Sequence, residues 1–451
     1  MFDKLQNNSY TNKTYIILIA CCVCALTVIG LLMIYSVTSA TNIENGVLAY
    51  KDVLNQFIFC VIGVLIVLFL SKAKSIIATN TLVVFCFWGV SLLLVLMVPF
   101  FGTTVNGATR WLSFGGLTLQ PSEFLKIALV VMLTKILSDY NDSKIDSVKA
   151  WVLVIFLVIA PLLFLYITQR DLGTTLVCAV ALLVVAYMSG VSKVIVFSIF
   201  IGGVALVGVL ILYGGDFRSG RMNFLDPWND GEGGYGSGYN IIRSYYAIAS
   251  GGLFGMGLGN SHEKFDYLYA ADNDFIFAVI CEELGLVGGI FVLICVIAIF
   301  ILSIKLASLN SNFESSLAIW GAAMLLLSQS LLNIGCAVGA LPTTGKPLPF
   351  VSSGGSAVIA SFILIGLIFN CALNSKAERD AIKKRDDIRI ISRNQGSKRV
   401  VRDDEIALGD SFKGEGRSSS RSGATMSRSL NARNSRARTT LKDPSFLDKR
   451  K

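Results

Sequence analysis

Ten apolar runs punctuate the chain, at about residues 15–38, 52–71, 76–101, 122–138, 148–167, 172–189, 191–214, 273–304, 316–340 and 355–374. A helix needs roughly 20 such residues to cross the hydrocarbon of a bilayer, and inside it every backbone N–H and C=O must be paired within the protein. With 54% hydrophobic residues and only 15% charged, the sequence reads as an all-α polytopic membrane protein of about ten transmembrane helices. The first run is too long for a cleaved signal peptide and no small-residue cleavage pattern follows it, so it stays as the first span. The fourth run carries Glu123, Lys126 and Lys135 and is the least apolar.

Three segments follow: a polar N-terminus over 1–14, a membrane domain over 15–375, and a basic tail over 376–451. Lys72, Lys74, Lys135, Lys144, Lys149, Lys193 and Lys305 flank alternate ends of the spans. Placing them in the cytoplasm with both termini satisfies the positive-inside rule. The loops 102–121, 168–171, 215–272 and 341–354 are then extracytoplasmic, the third being a long connector between spans seven and eight. The net charge of +9 belongs to the tail, where 21 Lys and Arg face 11 Asp and Glu. A nucleic-acid partner is therefore not implied; a tail without apolar periodicity stays disordered and contacts anionic lipid or a partner. All ten cysteines lie in apolar runs and His262 is the single histidine, which argues against disulfides and a zinc site.

Acidic residues at or inside a span are costly, roughly 2.5–3.5 kcal/mol on insertion scales, and each is a functional-site candidate. The stretch 272–289 holds Asp274 at its mouth and Glu282 and Glu283 further in. At 3.6 residues per turn, Glu282 stands about 80° and Glu283 about 180° around from Asp274, so the three cannot face one cavity. The alternative for Asp272 or Asp274 is an N-cap on the following helix.

Four further groups stand at the extracytoplasmic mouths. Gly-Ala-Thr-Arg-Trp (107–111) precedes Gln-Pro-Ser-Glu-Phe-Leu-Lys (120–126), whose Glu123 and Lys126 share a helix face and can pair there. Gln-Arg-Asp-Leu-Gly-Thr (169–174) brings Arg170 and Asp171. Residues 342–356, with three prolines and paired glycines around Lys346 and Ser352, suit a rigid re-entrant loop whose backbone N–H groups can cradle an anion. The spacing and Pro347 exclude a nucleotide P-loop. Ile241 to Leu258 has the spacing of a short interfacial helix. Arg110, Arg170, Arg218, Arg221, Arg243, Lys264 and Lys346 work against the positive-inside bias of these loops and are candidate anion contacts.

In this order the segments resemble the SEDS family (shape, elongation, division, sporulation) and its FtsW-type branch, over about residues 15–375. Gly-Ala-Thr-Arg-Trp, Gln-Pro-Ser-Glu-Phe-Leu-Lys, Asp-Leu-Gly-Thr, Phe-Leu-Asp-Pro-Trp, Asp-Phe-Ile-Phe-Ala-x-Ile-x-Glu-Glu-Leu-Gly and Pro-Leu-Pro-Phe-x-Ser carry the likeness. The resemblance implies a ten-span fold that polymerises lipid II into β-1,4 glycan strands at the outer face of the bacterial cytoplasmic membrane during division. It implies a class B penicillin-binding protein as partner beside other division proteins and membrane lipids. Asp274 is implied as the essential carboxylate, with Arg110, Trp111, Glu123, Lys126 and Asp171 in the cavity. Arg243, Lys346 and Ser352 are further substrate contacts, and a divalent cation (Mg or Mn) is a candidate cofactor. Ser353 stands where the family shows Tyr, Asp272-Asn273 replaces His-Thr, and Asn240 and Arg243 replace glutamines. A lipid flippase and a non-catalytic division scaffold are the competing classes; midplane charge would favour the first, tolerance of Asp274→Ala the second.

Overall fold

Each of the ten apolar runs carries a helix in the computed structural model, which describes residues 2–73, 80–105, 108–114, 117–212, 224–265 and 267–374. These are α1 (Phe2–Glu44), α2 (Lys51–Lys72), α3 (Thr81–Phe101), α4 (Pro121–Asn141), α5 (Ser147–Gln169), α6 (Leu172–Met188) and α7 (Lys193–Leu212). The chain continues through the short α8 (Tyr239–Gly251) to α9 (Ile276–Leu309), α10 (Phe313–Ala337) and α11 (Gly355–Asn374). Seven are long and apolar enough to cross a membrane, and two more are apolar but shorter. The expected tail, Lys74, Arg218 and Arg221 lie outside the described residues.

The strongly charged fourth run is the innermost helix: 17 of the 21 residues of α4 are buried. A helix apolar all round belongs in a core, and Glu123 and Lys126 are tolerated there because they pair with each other at 2.5 Å. It packs against α6 and α10, which also pack on each other. Beside this trio, α5 contains a π-helical turn at Ile155–Ile159. Pro161 has no N–H to give the Leu157 carbonyl four residues back; the Trp88 indole of α3 donates to it instead, at 2.8 Å.

Two features go beyond the sequence expectation. Helix α1 starts at Phe2, ahead of the candidate span Asn12–Glu44; no Pro or Gly interrupts residues 2–14, so the helix propagates outward. The loop after α3 is a three-stranded antiparallel sheet, β1 (Gly102–Val105), β2 (Ala108–Phe114) and β3 (Leu117–Leu119), in an otherwise helical chain. Its register pairs Gly102 with Leu112 and Leu112 with Leu119. The β-branched and aromatic residues of the three strands, Thr103, Thr104, Val105, Thr109, Trp111, Phe114 and Thr118, suit that extended pairing.

Helix α9 is broken at Gly285, where φ is 71° and ψ is −174°. Only glycine takes that conformation readily, and the space is as restrictive: a Cβ there would meet the Gly255 nitrogen at 2.4 Å. Residues 252–257 lie against the break. Met256 and Gly257 donate to the Glu282 and Glu283 carbonyls, and Leu286 and Val287 donate back to Gly252 and Leu253. The expected interfacial helix is present as α8, but its Ile241, Ile242, Ser244 and Ala247 face is buried in the protein, and the helix packs on α9.

Candidate functional site

The sheet, the α5–α6 turn, the residues before α9 and the loop after α10 converge at one end of the bundle. Arg110 of β2 reaches the turn, donating from Nε to the Gln169 carbonyl at 3.1 Å and from Nη2 to the Arg170 carbonyl at 2.9 Å. Arg170 holds φ 49°, the left-handed conformation that ends α5. Asp171 then N-caps α6, accepting from the Thr174 N–H at 3.1 Å and hydroxyl at 2.7 Å.

Lys346, 2% exposed, comes from the loop after α10 and donates to Asp171 Oδ2 at 2.8 Å. Glu123 Oε1 is 3.8 Å from the same ammonium, while Glu123 Oε2 accepts from Lys126. Lys126 also donates to Gln329 Oε1, and Gln329 Nε2 donates to the Pro347 carbonyl at 2.9 Å. The glycine of Asp-Leu-Gly-Thr has its reason here: a Cβ on Gly173 would stand 2.8 Å from Lys346 Cγ, so only a hydrogen lets the lysine stem cross the start of α6.

Asp274 stands two residues ahead of α9. Neither it nor Asp272 caps that helix; the N-cap is Phe275, without a side-chain bond. Asp274 lines a cleft with Asn333, Cys336, Thr344, Gly345 and Lys346. Its Oδ1 is occluded and has no protein partner. Burial pushes its carboxyl up to about 6; Lys346 and Arg110 oppose the rise and Asp272 adds to it. Asp171 goes the other way, to about 2: burial would raise it, but Lys346, Arg110 and the bonds from Lys346 and Thr174 outweigh that. One ammonium thus faces a fully satisfied carboxylate and a basic, unsatisfied one. Such a pair of acids with separated affinities is what proton abstraction requires.

Six of the residues singled out in sequence therefore meet here: Asp274, Arg110, Glu123, Lys126, Asp171 and Lys346. Ser352 is adjacent, accepting from the Leu348 N–H and donating to the Asn273 carbonyl at 2.5 Å, which ties the 342–356 loop to the residue before Asp274. Trp111 sits half-buried on β2 opposite Thr103. Arg243 is not brought to the cleft. Its guanidinium is 3.6 Å from Glu263 and lies over the Tyr239 and Tyr267 rings at 5.1 and 4.9 Å. Lys264 is likewise committed, to Glu283 at 3.1 Å. Part of the anion cradle expected in the 342–356 backbone is taken, since the N–H groups of Leu348, Val351, Ser352, Ser353 and Gly354 donate to protein acceptors, while Thr343, Thr344, Gly345 and Lys346 are the stretch that lines the cleft.

Glu282 and Glu283 do not face the cleft. Glu282 accepts from the Ser261 hydroxyl at 2.5 Å and the His262 N–H at 2.8 Å; Glu283 accepts from Ser36, Lys264 and the Gly259 N–H. Asn333 and Gln329 went unnoticed in sequence. The available signal was an amide pair four residues apart, hence on one face, inside an apolar run.

A family model described as a cell cycle protein, covering FtsW, RodA and SpoVE, matches residues 16–377. The chain belongs to this family. Stage V sporulation protein E of Bacillus subtilis is 32% identical over 78% of this chain and 95% of its own length. The "Probable peptidoglycan glycosyltransferase FtsW" of Synechocystis is 35% identical over 77% and 86%. In structure, the FtsW/RodA/SpoVE chain superposes with TM-score 0.63 and 23% identity on a solved chain from a study of coordinated polymerization and crosslinking by a peptidoglycan synthase complex. That match covers 79% of this chain and 97% of the other.

Proposed function

We infer that this chain is a peptidoglycan glycosyltransferase that joins lipid-linked disaccharides into glycan strands at the extracytoplasmic face of the bacterial cell membrane. The observation that carries the mechanism is Asp274, an unpartnered carboxylate in a cleft, with a carboxyl raised to about 6 and a buried ammonium beside it. In the proposed step, Asp274 takes the proton of the acceptor sugar's 4-hydroxyl as its oxygen bonds to the donor's anomeric carbon. The anomeric bond to undecaprenyl diphosphate breaks with its electron pair, in one inverting displacement. Arg110, held by two neutral carbonyls and without an ion pair among the described residues, is the cation for the departing diphosphate. Lys346 is neutralised by Asp171 and Glu123 and poises Asp274.

A divalent cation is not accommodated by the protein alone: among the described residues no three His, Cys, Asp or Glu stand together as ligands. A Mg or Mn ion would take its ligands chiefly from the diphosphate. A class B penicillin-binding protein partner is supported by family membership and the synthase-complex likeness, and a septal location by the FtsW relatives. The lysine-rich end opposite the cleft, with Lys135 between Asp139 and Glu314, is the proposed cytoplasmic side. The flippase reading is weakened at Glu282 and Glu283, which are occupied in holding residues 259–264.

The test is polymerisation of labelled lipid II by the full chain with its cognate penicillin-binding protein. A ladder of glycan polymer from wild type is the expected result. No polymer, with lipid II crossing proteoliposome membranes instead, would overturn the assignment in favour of transport.

A further inference from the structure

The cleft contains one polar residue whose two ends do different things. Asn333, 1% exposed in the middle of the site wall, donates from Nδ2 to the Asp274 carbonyl at 3.0 Å and to the Lys346 carbonyl at 2.7 Å. One amide nitrogen thus ties together the two segments that bring the carboxylate and the ammonium. Its Oδ1 is buried and has no hydrogen-bond partner, on a residue that lines the same cleft. A buried acceptor left unmatched is a cost to folding, so a fold that keeps one beside its reactive carboxylate has a reason outside its own stability.

The surroundings favour a ligand as that reason. Of the eleven buried side-chain atoms without a hydrogen-bond partner among the described residues, seven belong to Ser122, Glu123, Gln169, Asn273, Asp274 and Asn333, the Glu123 oxygen keeping its ion pair with Lys346. Asp274 and Asn333 both line the cleft, so unmet hydrogen-bonding capacity is present where a hydroxyl-rich molecule would sit. Asn333 Oδ1 can only accept, and the donors of an N-acetylated sugar are its hydroxyls and its acetamido N–H.

We propose that Asn333 is a specificity residue of the transferase: Oδ1 accepts a hydrogen bond from a sugar hydroxyl or acetamido N–H, while Nδ2 fixes Asp274 against Lys346. The proposal rests on the glycosyltransferase assignment above. A site built to accept such a bond rejects an analogue lacking the donor, because the buried oxygen is then left unpaired.

The experiment pairs variants with substrate analogues, using the full chain with its penicillin-binding protein. Wild type, Asn333→Ala and Asn333→Asp are given lipid II, an analogue with acetoxy in place of the glucosamine acetamido group, and a 6-deoxy analogue. Wild type should lose about ten-fold or more in kcat/KM on one analogue, the value of one buried hydrogen bond. Asn333→Ala should be impaired on lipid II but treat that analogue no worse, since the partner atom is already gone. Asn333→Asp keeps an acceptor: it should still discriminate, while its added charge beside Asp274 moves the acidic limb of the pH profile upward. Losses from variant and analogue that simply multiply for both analogues would overturn the proposal and leave Asn333 a structural tie. Failure of wild type to polymerise lipid II at all would instead sink the transferase assignment. If Asn333→Ala is recovered unfolded, the Asp variant decides alone: equal use of all three substrates overturns the proposal.

Discussion

Asp274 and the pair Glu282–Glu283 are eight and nine residues apart in sequence and have opposite surroundings. The two glutamates are at most 1% exposed, and hydroxyl, backbone or ammonium donors reach all four of their carboxylate oxygens. Asp274 keeps Oδ1 without a partner and has only carbonyl and backbone ties around it. The lesson is that an acid placed at membrane depth declares its role by whether its hydrogen-bonding capacity is met. Full satisfaction marks a clasp, and a deficit beside a cation marks chemistry.

Four measurements would sharpen or break that contrast. Asp274→Asn should lower glycan polymerisation by about 10³-fold, within the range for loss of a general base, and leave the unfolding temperature undiminished. Glu283→Ala should do the reverse. It leaves the buried Lys264 with neutral partners only and costs roughly 3–5 kcal/mol, read as a drop in thermal stability in detergent. If both variants lost activity and stability in parallel, the contrast would be broken. Gly173→Val should push Lys346 off Asp171 and reduce polymerisation about ten-fold by mispositioning. Its acidic limb should move upward, as Asp274 loses a neighbour that holds its carboxyl down.

The smallest effect is in pH. The rate should rise as Asp274 deprotonates, half-maximal near pH 6. Stability carries the two aspartates with opposite sign. The Asp274 carboxyl lies above its ordinary value of 3.8, so its contribution is present below that pH and lost as the pH rises through about 6. Asp171 lies below it, and its contribution is present above 3.8 and lost only as the pH falls towards about 2. Denaturation midpoints across this range in wild type, Asp274→Asn and Asp171→Asn check both signs.

The helices were legible because length and hydropathy dictate them. The charged fourth run shows the limit: composition could not say that α4 is the most enclosed helix, since its charges are matched by Gln329, Lys346 and Glu314 from elsewhere in the chain. Six site residues were legible as charges out of place. Arg243 and Lys264 looked the same and lie away from the cleft, because Glu263 and Glu283 reach them across a fold that sequence spacing does not encode. Asn333 was silent for the opposite reason, being uncharged in an apolar run. The strands β1 to β3 were written in their β-branched and aromatic residues but hidden by their place between spans.

The break at Gly285 has a mechanical consequence. Residues 252–264 grip α9 on both sides of it, through backbone bonds at Glu282, Glu283, Leu286 and Val287 and through both glutamate side chains. The interruption is therefore a braced joint and not a hinge. The short stub that leads back from it to Asp274 is thereby fixed to residues 252–257, and through Leu286 and Val287 to the far side of the break as well, so the chain turns at Gly285 without losing a rigid support for the carboxylate.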